Sequence, residues 1–311
     1  MTAKTTTEDA KLDRLGLLAA AVTIVLWASA FAGIRVALED YSPYSLALLR
    51  YLIASVVLGV YMAVRRTPLP QLRDLPGIIG LGFFGFAVYN VALNAGELGV
   101  TAGAASFLIA TAPVFIALLA AATLGERLTL WGWLGIALSF SGVALISLGD
   151  AGTELVGDGE TQSRTLFNVW ALLVLVSAVA TAIYSVGQKS YLRKYGALRF
   201  TTYAIWAGTA LMLVFTPGLI SDVQNAAPGP TWAIVYMGVL PGAVGYVCWS
   251  YVLARLPASV AGTYLYFIPA LATLIAWLWL GEVPGWAAFA GGALVIAGVV
   301  LVNRLGRIRA T

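Results

Sequence analysis

Apolar residues in this chain gather into long runs, separated by short breaks that carry charges, Pro or Gly. Ten runs stand out, at approximately 15–36, 43–64, 75–96, 100–123, 129–149, 166–188, 197–217, 231–253, 258–280 and 285–303. Each is close to the ~20 residues that a helix needs to cross a ~30 Å hydrocarbon core. They are apolar all round and twice the length of a barrel strand, which runs to ~10 residues with alternating polarity. The pattern predicts an all-α integral membrane protein with ten transmembrane helices. Tails at 1–14 and 304–311 flank them. The one long connection, 150–165, has four acids and three glycines and reads as a solvated linker. The Ala28-Ser29-Ala30 triplet looks like a signal-cleavage site, but the apolar run before it is too long for a signal core and nine more spans follow.

Composition agrees. The 311 residues are 60% hydrophobic and 10% charged, whereas a soluble domain is about 45–50% apolar and 25% charged. With no histidine, Ser-His-Asp catalysis and His-ligated zinc or haem are excluded. With Cys248 as the single cysteine there is no intrachain disulfide and no iron–sulfur cluster. No metal and no cofactor is expected. The net charge of +4 is spread along the chain, so no nucleic-acid partner is expected either.

Basic residues prefer the cytoplasmic side of a membrane. With the N-terminus inside and ten spans, 15 of the 18 Lys and Arg fall on inner segments. Arg35 and Arg164 fall outside and Arg50 lies within a span. This split predicts a multi-pass inner-membrane (plasma-membrane) protein with both termini cytoplasmic and the linker extracytoplasmic.

The chain also repeats itself. A shift of 156 residues lays Pro113 on Pro269, Leu124-Gly125-Glu126 on Leu280-Gly281-Glu282, and Gly135, Gly142 and Val143 on Gly291, Gly298 and Val299. Over 101–147 against 257–303, 14 of 47 positions are identical without a gap. The halves 15–149 and 166–303 hold five helices each. Five is odd, so the second half is inverted relative to the first. Inverted repeats are typical of secondary transporters, which alternate access around a site near the midplane. A duplication kept for packing alone is the plainer alternative.

Trp27-Ala28-Ser29-Ala30-Phe31 in the first span, Arg50 in the second, Pro113 and Pro269, and the Leu-Gly-Glu after each proline helix resemble the drug/metabolite transporter superfamily. Within it the chain resembles the EamA family of ten-helix exporters, from about 15 to 303. The resemblance implies export of small metabolites, often amino acids, without ATP. It is strongest to the YddG-type exporters, which favour aromatic and other apolar amino acids. The superfamily also holds nucleotide-sugar and triose-phosphate exchangers.

Polar groups inside a span mark cavities by default. Asn90 and Asn94 are one turn apart on the third span, and Tyr246, Trp249 and Ser250 share a face of the eighth. The offset carries Asn90 onto Tyr246, Asn94 onto Ser250 and Ser29 onto Ser185. These faces could oppose each other across a central cavity, or simply hydrogen-bond between helices. Trp27, Tyr89, Ser106, Tyr184, Trp206, Tyr264 and Tyr266 complete the candidate lining. Trp131, Trp133, Trp232 and Trp286 lie near span ends and read as interface anchors.

Arg50 is seven residues past Pro43, so about 10 Å deep at 1.5 Å per residue. Three readings stay open: it snorkels outward, it binds an anion such as a substrate carboxylate, or it anchors to Asp40 or Glu97. With no deep carboxylate, an ammonium group would rely on carbonyls and aromatic faces. One deep Arg among many aromatics favours a zwitterion with an apolar side chain. It disfavours a cationic drug, or a sugar phosphate that would want several deep cations.

Pro113, Pro241-Gly242 and Pro269 are candidate hinges. Small residues at four-residue spacing in the fifth and tenth spans (Gly135/Ser139, Ala288/Gly292, Ala293/Ala297) suggest a scaffold or a homodimer face. Glu126 and Glu282 read as helix-end ion-pair partners. Proton coupling has only end groups such as Glu97 to use, and facilitated diffusion or exchange fits as well. A membrane enzyme built on a Ser-Lys dyad at Lys189, or a channel, is the competing class.

Overall fold

A computed structural model describes residues 14–124, 127–150, 168–253, 264–305 and 307–308. The linker, Glu126 and the first part of the ninth run lie outside the described residues. Helix α1 spans Arg14–Ala37, α2 Pro43–Val64 and α3 Leu72–Gly96. Helices α4 (Ala102–Ile109) and α5 (Ala112–Leu124) form the fourth run, and α6 is Leu130–Asp150. Next come α7 (Val169–Gly187), the short α8 (Lys189–Tyr195) and α9 (Ala197–Asn225). Helix α10 runs from Pro228–Val239 through a π turn into Gly245–Leu253. Helices α11 (Phe267–Leu280) and α12 (Trp286–Leu305) finish the chain. Six helices are long and apolar enough to cross a membrane, and four shorter apolar stretches join them. A two-residue antiparallel pair, Arg127–Leu128 with Arg307–Ile308, is the described β structure.

Local sequence sets the helix ends. Ser42 caps α2 by accepting from the Ser45 N–H at 3.2 Å, with Pro43 at the first helical position. Thr101 caps α4 through Ala104 (3.2 Å), and Asn168 caps α7 through Trp170 (2.9 Å). Gly281 ends α11 in the left-handed region, at φ +70°, where a glycine stop costs least. The repeated Leu-Gly-Glu is, in this copy, a helix stop that turns Glu282 back toward the bundle.

Each candidate hinge proline lies at or beside a helix irregularity, and one irregularity has no proline. Pro113 cannot donate to Ile109, and α4 ends at Ile109. Pro269 stands in the first turn of α11, behind a turn at 265–266 that lies within one residue of the 110–111 break at the 156 offset. Pro241 lies in a π turn at Leu240–Val244. A second π turn, Phe83–Val88, covers the equivalent positions of the first half without a proline. There Gly85 lies under Tyr184, and a Cβ added to it would meet the ring at 2.5 Å. Close packing replaces the proline as the neighbour of the irregular turn.

Helices α6 and α12 pack backbone to backbone. A Cβ on Gly135 would stand 2.7 Å from the Gly298 carbonyl oxygen, and one on Gly291 would stand 2.6 Å from that of Gly142. Adding 156 to 135 gives 291, and subtracting it from 298 gives 142, so the two contacts are equivalent. Between them Ser139 Oγ donates to the Val295 carbonyl at 3.2 Å, and these two positions are themselves 156 apart. The Gly135/Ser139 stripe is thus used inside the chain, and Gly292 lies under Phe107. Ala293 and Ala297 stay exposed. The anchor tryptophans sit at the surface, Trp286 at 75% and Trp232 at 69% exposure.

Gly142→Leu is expected to destabilise the protein by about 1–3 kcal/mol, because the atom it would strike is backbone and cannot swing away. Ala293→Leu, on the exposed face of the same pair, should leave the thermal midpoint in detergent unchanged. Thermal unfolding of both variants checks this.

Candidate functional site

Six helices contribute aromatic rings to a ladder that a seventh, α8, extends by stacking Tyr191 on Phe200 at 5.4 Å. Trp249 (α10) lies 5.6 Å from Trp27 (α1), and Trp27 lies 5.2 Å from Tyr246 (α10). Tyr246 meets Phe86 (α3) at 5.7 Å. Phe86 meets Tyr51 (α2) and Tyr184 (α7), each at 5.4 Å, and Tyr184 stacks on Phe200 (α9) at 6.1 Å. Tilted and edge-on pairs at these separations are favourable beyond their burial, by about 0.5–1.5 kcal/mol each. Gly245 makes room for the Trp27 indole, whose Nε1 would be 2.8 Å from a Cβ there. The indole N–H donates to the Pro241 carbonyl at 3.2 Å, so the π turn of α10 orients the ring.

Of the residues expected to line a cavity, Trp27, Tyr184, Tyr246 and Trp249 join this ladder. Ser29 is buried beside it, with Oγ 2.6 Å from the Tyr236 hydroxyl. Tyr89 is half-buried on α3, and its carbonyl accepts from Ser177 at 2.8 Å. Others lie elsewhere. Ser106 donates to Gly103 in its own helix (2.6 Å), and Trp206 donates to the Ser55 carbonyl (3.2 Å) beside Tyr203. Tyr264 packs with Ala19, Ala20 and Val252 in a satellite cluster that Trp249 also touches. Tyr266 packs at the margin of the main core, and Ser185 is half-buried on α7. The Ser250 side chain lies outside the described residues. Tyr51 and Phe86 were not singled out by sequence, since a Phe or Tyr in an apolar run carries no mark of its own.

Arg50 does not snorkel. It is 6% exposed, its guanidinium stands 5.5 Å from the Tyr51 ring, and its Nε has no hydrogen-bond partner. Among the described residues no carboxylate pairs with it. Asp40 instead accepts from the Ala227 N–H at 2.7 Å. Asn90 donates to the Phe86 carbonyl at 2.8 Å and Asn94 to the Pro43 carbonyl at 3.1 Å. The side-chain oxygens of both are buried without a donor.

Polar ties close each end of the bundle. At one end Arg35 pairs with Glu282 at 3.1 Å and donates to the Glu97 carbonyl, while Glu282 accepts from the Ala102 N–H at 3.0 Å. This joins α1, α3, α4 and the segment after α11, and Glu282 is the helix-end partner its position suggested. At the other end Asp74 accepts from Lys194 and Tyr195. Glu97 departs from expectation: an end group by position, it is fully buried, with neither carboxylate oxygen partnered.

A bundle of apolar helices with an aromatic centre, unpaired polar groups beside it and polar ties at its ends defines a multi-pass membrane protein of the transporter class. The comparisons agree. The chain belongs to the EamA-like transporter family, whose pattern matches it twice, over residues 14–148 and 168–304. It is 43% identical over 293 residues to a Streptantibioticus cattleyicolor protein named "probable terminal-alkyne amino-acid exporter", covering 93% of this chain and 94% of that one. It is 42% identical over 289 residues to the Bacillus subtilis transporter YdfC, covering 92% and 91%. The Escherichia coli inner membrane transporter YedA is 24% identical, covering 90% and 87%. A protein of known crystal structure shares the fold, with TM-score 0.59 at 20% identity over 92% of this chain and 96% of that one.

Glu97 stands just past the end of α3. Burial pushes its carboxyl well above the ordinary value, the Arg35 guanidinium pulls it back, the Glu282 carboxylate pushes it up again, and the Arg50 guanidinium lowers it a little. A folded-state pKa raised in this way gives stability that is complete below the ordinary carboxylate value and is lost as pH rises through the raised one. Glu97→Gln keeps the shape of the neutral form. It is expected to flatten the fall of melting temperature as pH rises above the ordinary carboxylate range.

Proposed function

We propose that this protein is a secondary transporter that exports small amphiphilic metabolites, chiefly aromatic or apolar amino acids. The carrying observation is the ring ladder, which draws on α1, α2 and α3 of the first half and α7, α9 and α10 of the second. A site that spans two opposed halves changes its access when the halves rock. Ten spans in two inverted halves fit the six long and four shorter apolar helices, the double family match and the α6–α12 contacts that recur at 156. Pro113, Pro241, Gly242 and Pro269 sit where helices break or widen, and serve as hinges. The charge split puts both termini in the cytoplasm and the Arg35–Glu282 end outside. The exposed face of Ala293 and Ala297 is the part of α12 left for a homodimer.

Among the described residues Arg50 is the one cation buried in the core. A phosphorylated sugar or triose would want more than one, so exchange of organophosphates is the weaker reading. The relative named as an amino-acid exporter favours the same choice.

Counterflow in liposomes tests this. Purified protein should exchange labelled phenylalanine and leucine, and should leave triose phosphate untouched. Phosphate exchange without amino-acid flux would overturn the proposal. Trp249→Ala removes one end of the ladder and is expected to cut phenylalanine flux about tenfold, the factor that 1.4 kcal/mol carries, with a melting temperature close to that of the parent. Normal flux in that variant would remove the ladder from the transport path.

A further inference from the structure

We infer that Arg50 and Asn90 form the receptor for the head group of a free α-amino acid. Arg50 takes the carboxylate and the Asn90 side-chain oxygen takes the ammonium. The inference rests on the amino-acid reading above and deepens it.

A buried guanidinium cannot shed its proton, and an uncompensated buried charge is strongly unfavourable. The chain can satisfy an arginine at depth, as Arg35 shows with the Glu282 carboxylate and the Glu97 carbonyl. Arg50 has no such anion, although it is more deeply buried than Arg35. The Tyr51 ring faces it, and the Glu97 carboxyl feels its charge from beyond ion-pair distance, but neither takes its N–H groups, which stay free for a planar carboxylate.

Asn90 supplies the opposite deficit. Only its nitrogen can donate to the Phe86 carbonyl, so that bond fixes the amide and turns the oxygen away from Phe86. That oxygen is buried and lacks a donor. Two contacts set the antiparallel register of α2 against α3: Asn94 on Pro43, and Phe86 on Tyr51. This register places Arg50 level with the turn Phe86–Asn90, beside the ladder.

The two unmet groups are complementary to a zwitterion. A carboxylate brings acceptors for Arg50, and an ammonium brings donors for Asn90. An amine alone would place a second cation beside Arg50. A phosphate monoester would satisfy Arg50 but would set an anion against an oxygen. Unpartnered acceptors recur at Asn94 and Glu97, four and seven residues further along the same face of α3, toward the Arg35 end. They mark the course an ammonium group would follow on leaving.

The test uses competition in the counterflow assay. Against phenylalanine exchange, unlabelled phenylalanine should compete, while phenethylamine (no carboxylate) and 3-phenylpropionate (no amine) should be at least tenfold weaker. Arg50→Gln should raise the KM for phenylalanine at least tenfold and leave phenethylamine competition as it was. Arg50→Lys should recover part of the loss, and Asn90→Leu should raise the KM for phenylalanine without changing 3-phenylpropionate. Equal competition by the three compounds in the parent protein overturns the inference and leaves the transport reading standing. An unchanged KM in Arg50→Gln does the same. If the variants do not fold, the analogue series on the parent protein decides alone. If the parent moves no amino acid, both readings fall together.

Discussion

Hydrocarbon offers no hydrogen bonds, and the rest of this structure follows from that. Backbone groups must be paired within the chain, so the protein is built from helices. Where a helix breaks, side chains or packed glycines meet the freed groups: Thr111 on the Leu108 carbonyl, Trp27 on Pro241, Ser177 on Tyr89. Against this near-complete pairing, buried polar atoms stay unmet at Arg50, Asn90, Asn94, Glu97, Tyr184 and Thr273. The first four lie on α2, on the end of α3 that faces it, or just beyond, while Tyr184 is on α7 and Thr273 on α11.

Much of the fold was legible because hydropathy reads one residue at a time and a membrane span is long. Nine of the runs fall on apolar helices, most with ends displaced by a few residues, and the ninth begins outside the described residues. Among the nine the seventh departs most, continuing to Asn225 through a second helical stretch that begins at Thr216-Pro217. The proline breaks were equally legible, since a missing N–H acts locally. The π turn at Phe83–Val88 was not, because its irregularity accompanies a contact with Tyr184 on another helix. The same limit applied to the site. Trp27, Tyr246 and Trp249 were read as lining and do meet. Their continuation through Phe86 to Tyr51 and Tyr184 depends on how helices turn against each other. Glu97 shows the limit most clearly: its place in the sequence is a span end, while its environment is the interior.

The paired glycines of α6 and α12 give the two halves a rigid contact. Gly135 with Gly298 and Gly142 with Gly291 bring backbones to a distance that larger residues forbid. Packing of this kind acts over a short range and has little give. It suits a fixed support better than a moving part. The irregular turns and proline breaks lie in α3, in α4–α5, in α10 and at the start of α11. The irregular turns are thus separate from the α6–α12 contact, and two of the ladder's helices, α3 and α10, carry them.

The offset of 156 also shows where the halves have diverged. It carries Arg50 onto Trp206 and Asn90 onto Tyr246. The first half holds a cation and an amide where the second holds an indole and a phenol. Two identical halves would favour a ligand with the same two-fold character, such as a doubly charged anion held from both sides. An amino acid with a large apolar side chain has no such symmetry: one end is a zwitterion and the other is a hydrocarbon. Polar groups at Arg50 and Asn90, with the ring of Tyr246 in the Asn90-equivalent position, match that difference of ends. In the proposed reading the departure from symmetry therefore says more about the substrate than the repeat does, because the repeat would serve alternating access and the departure would set what is held.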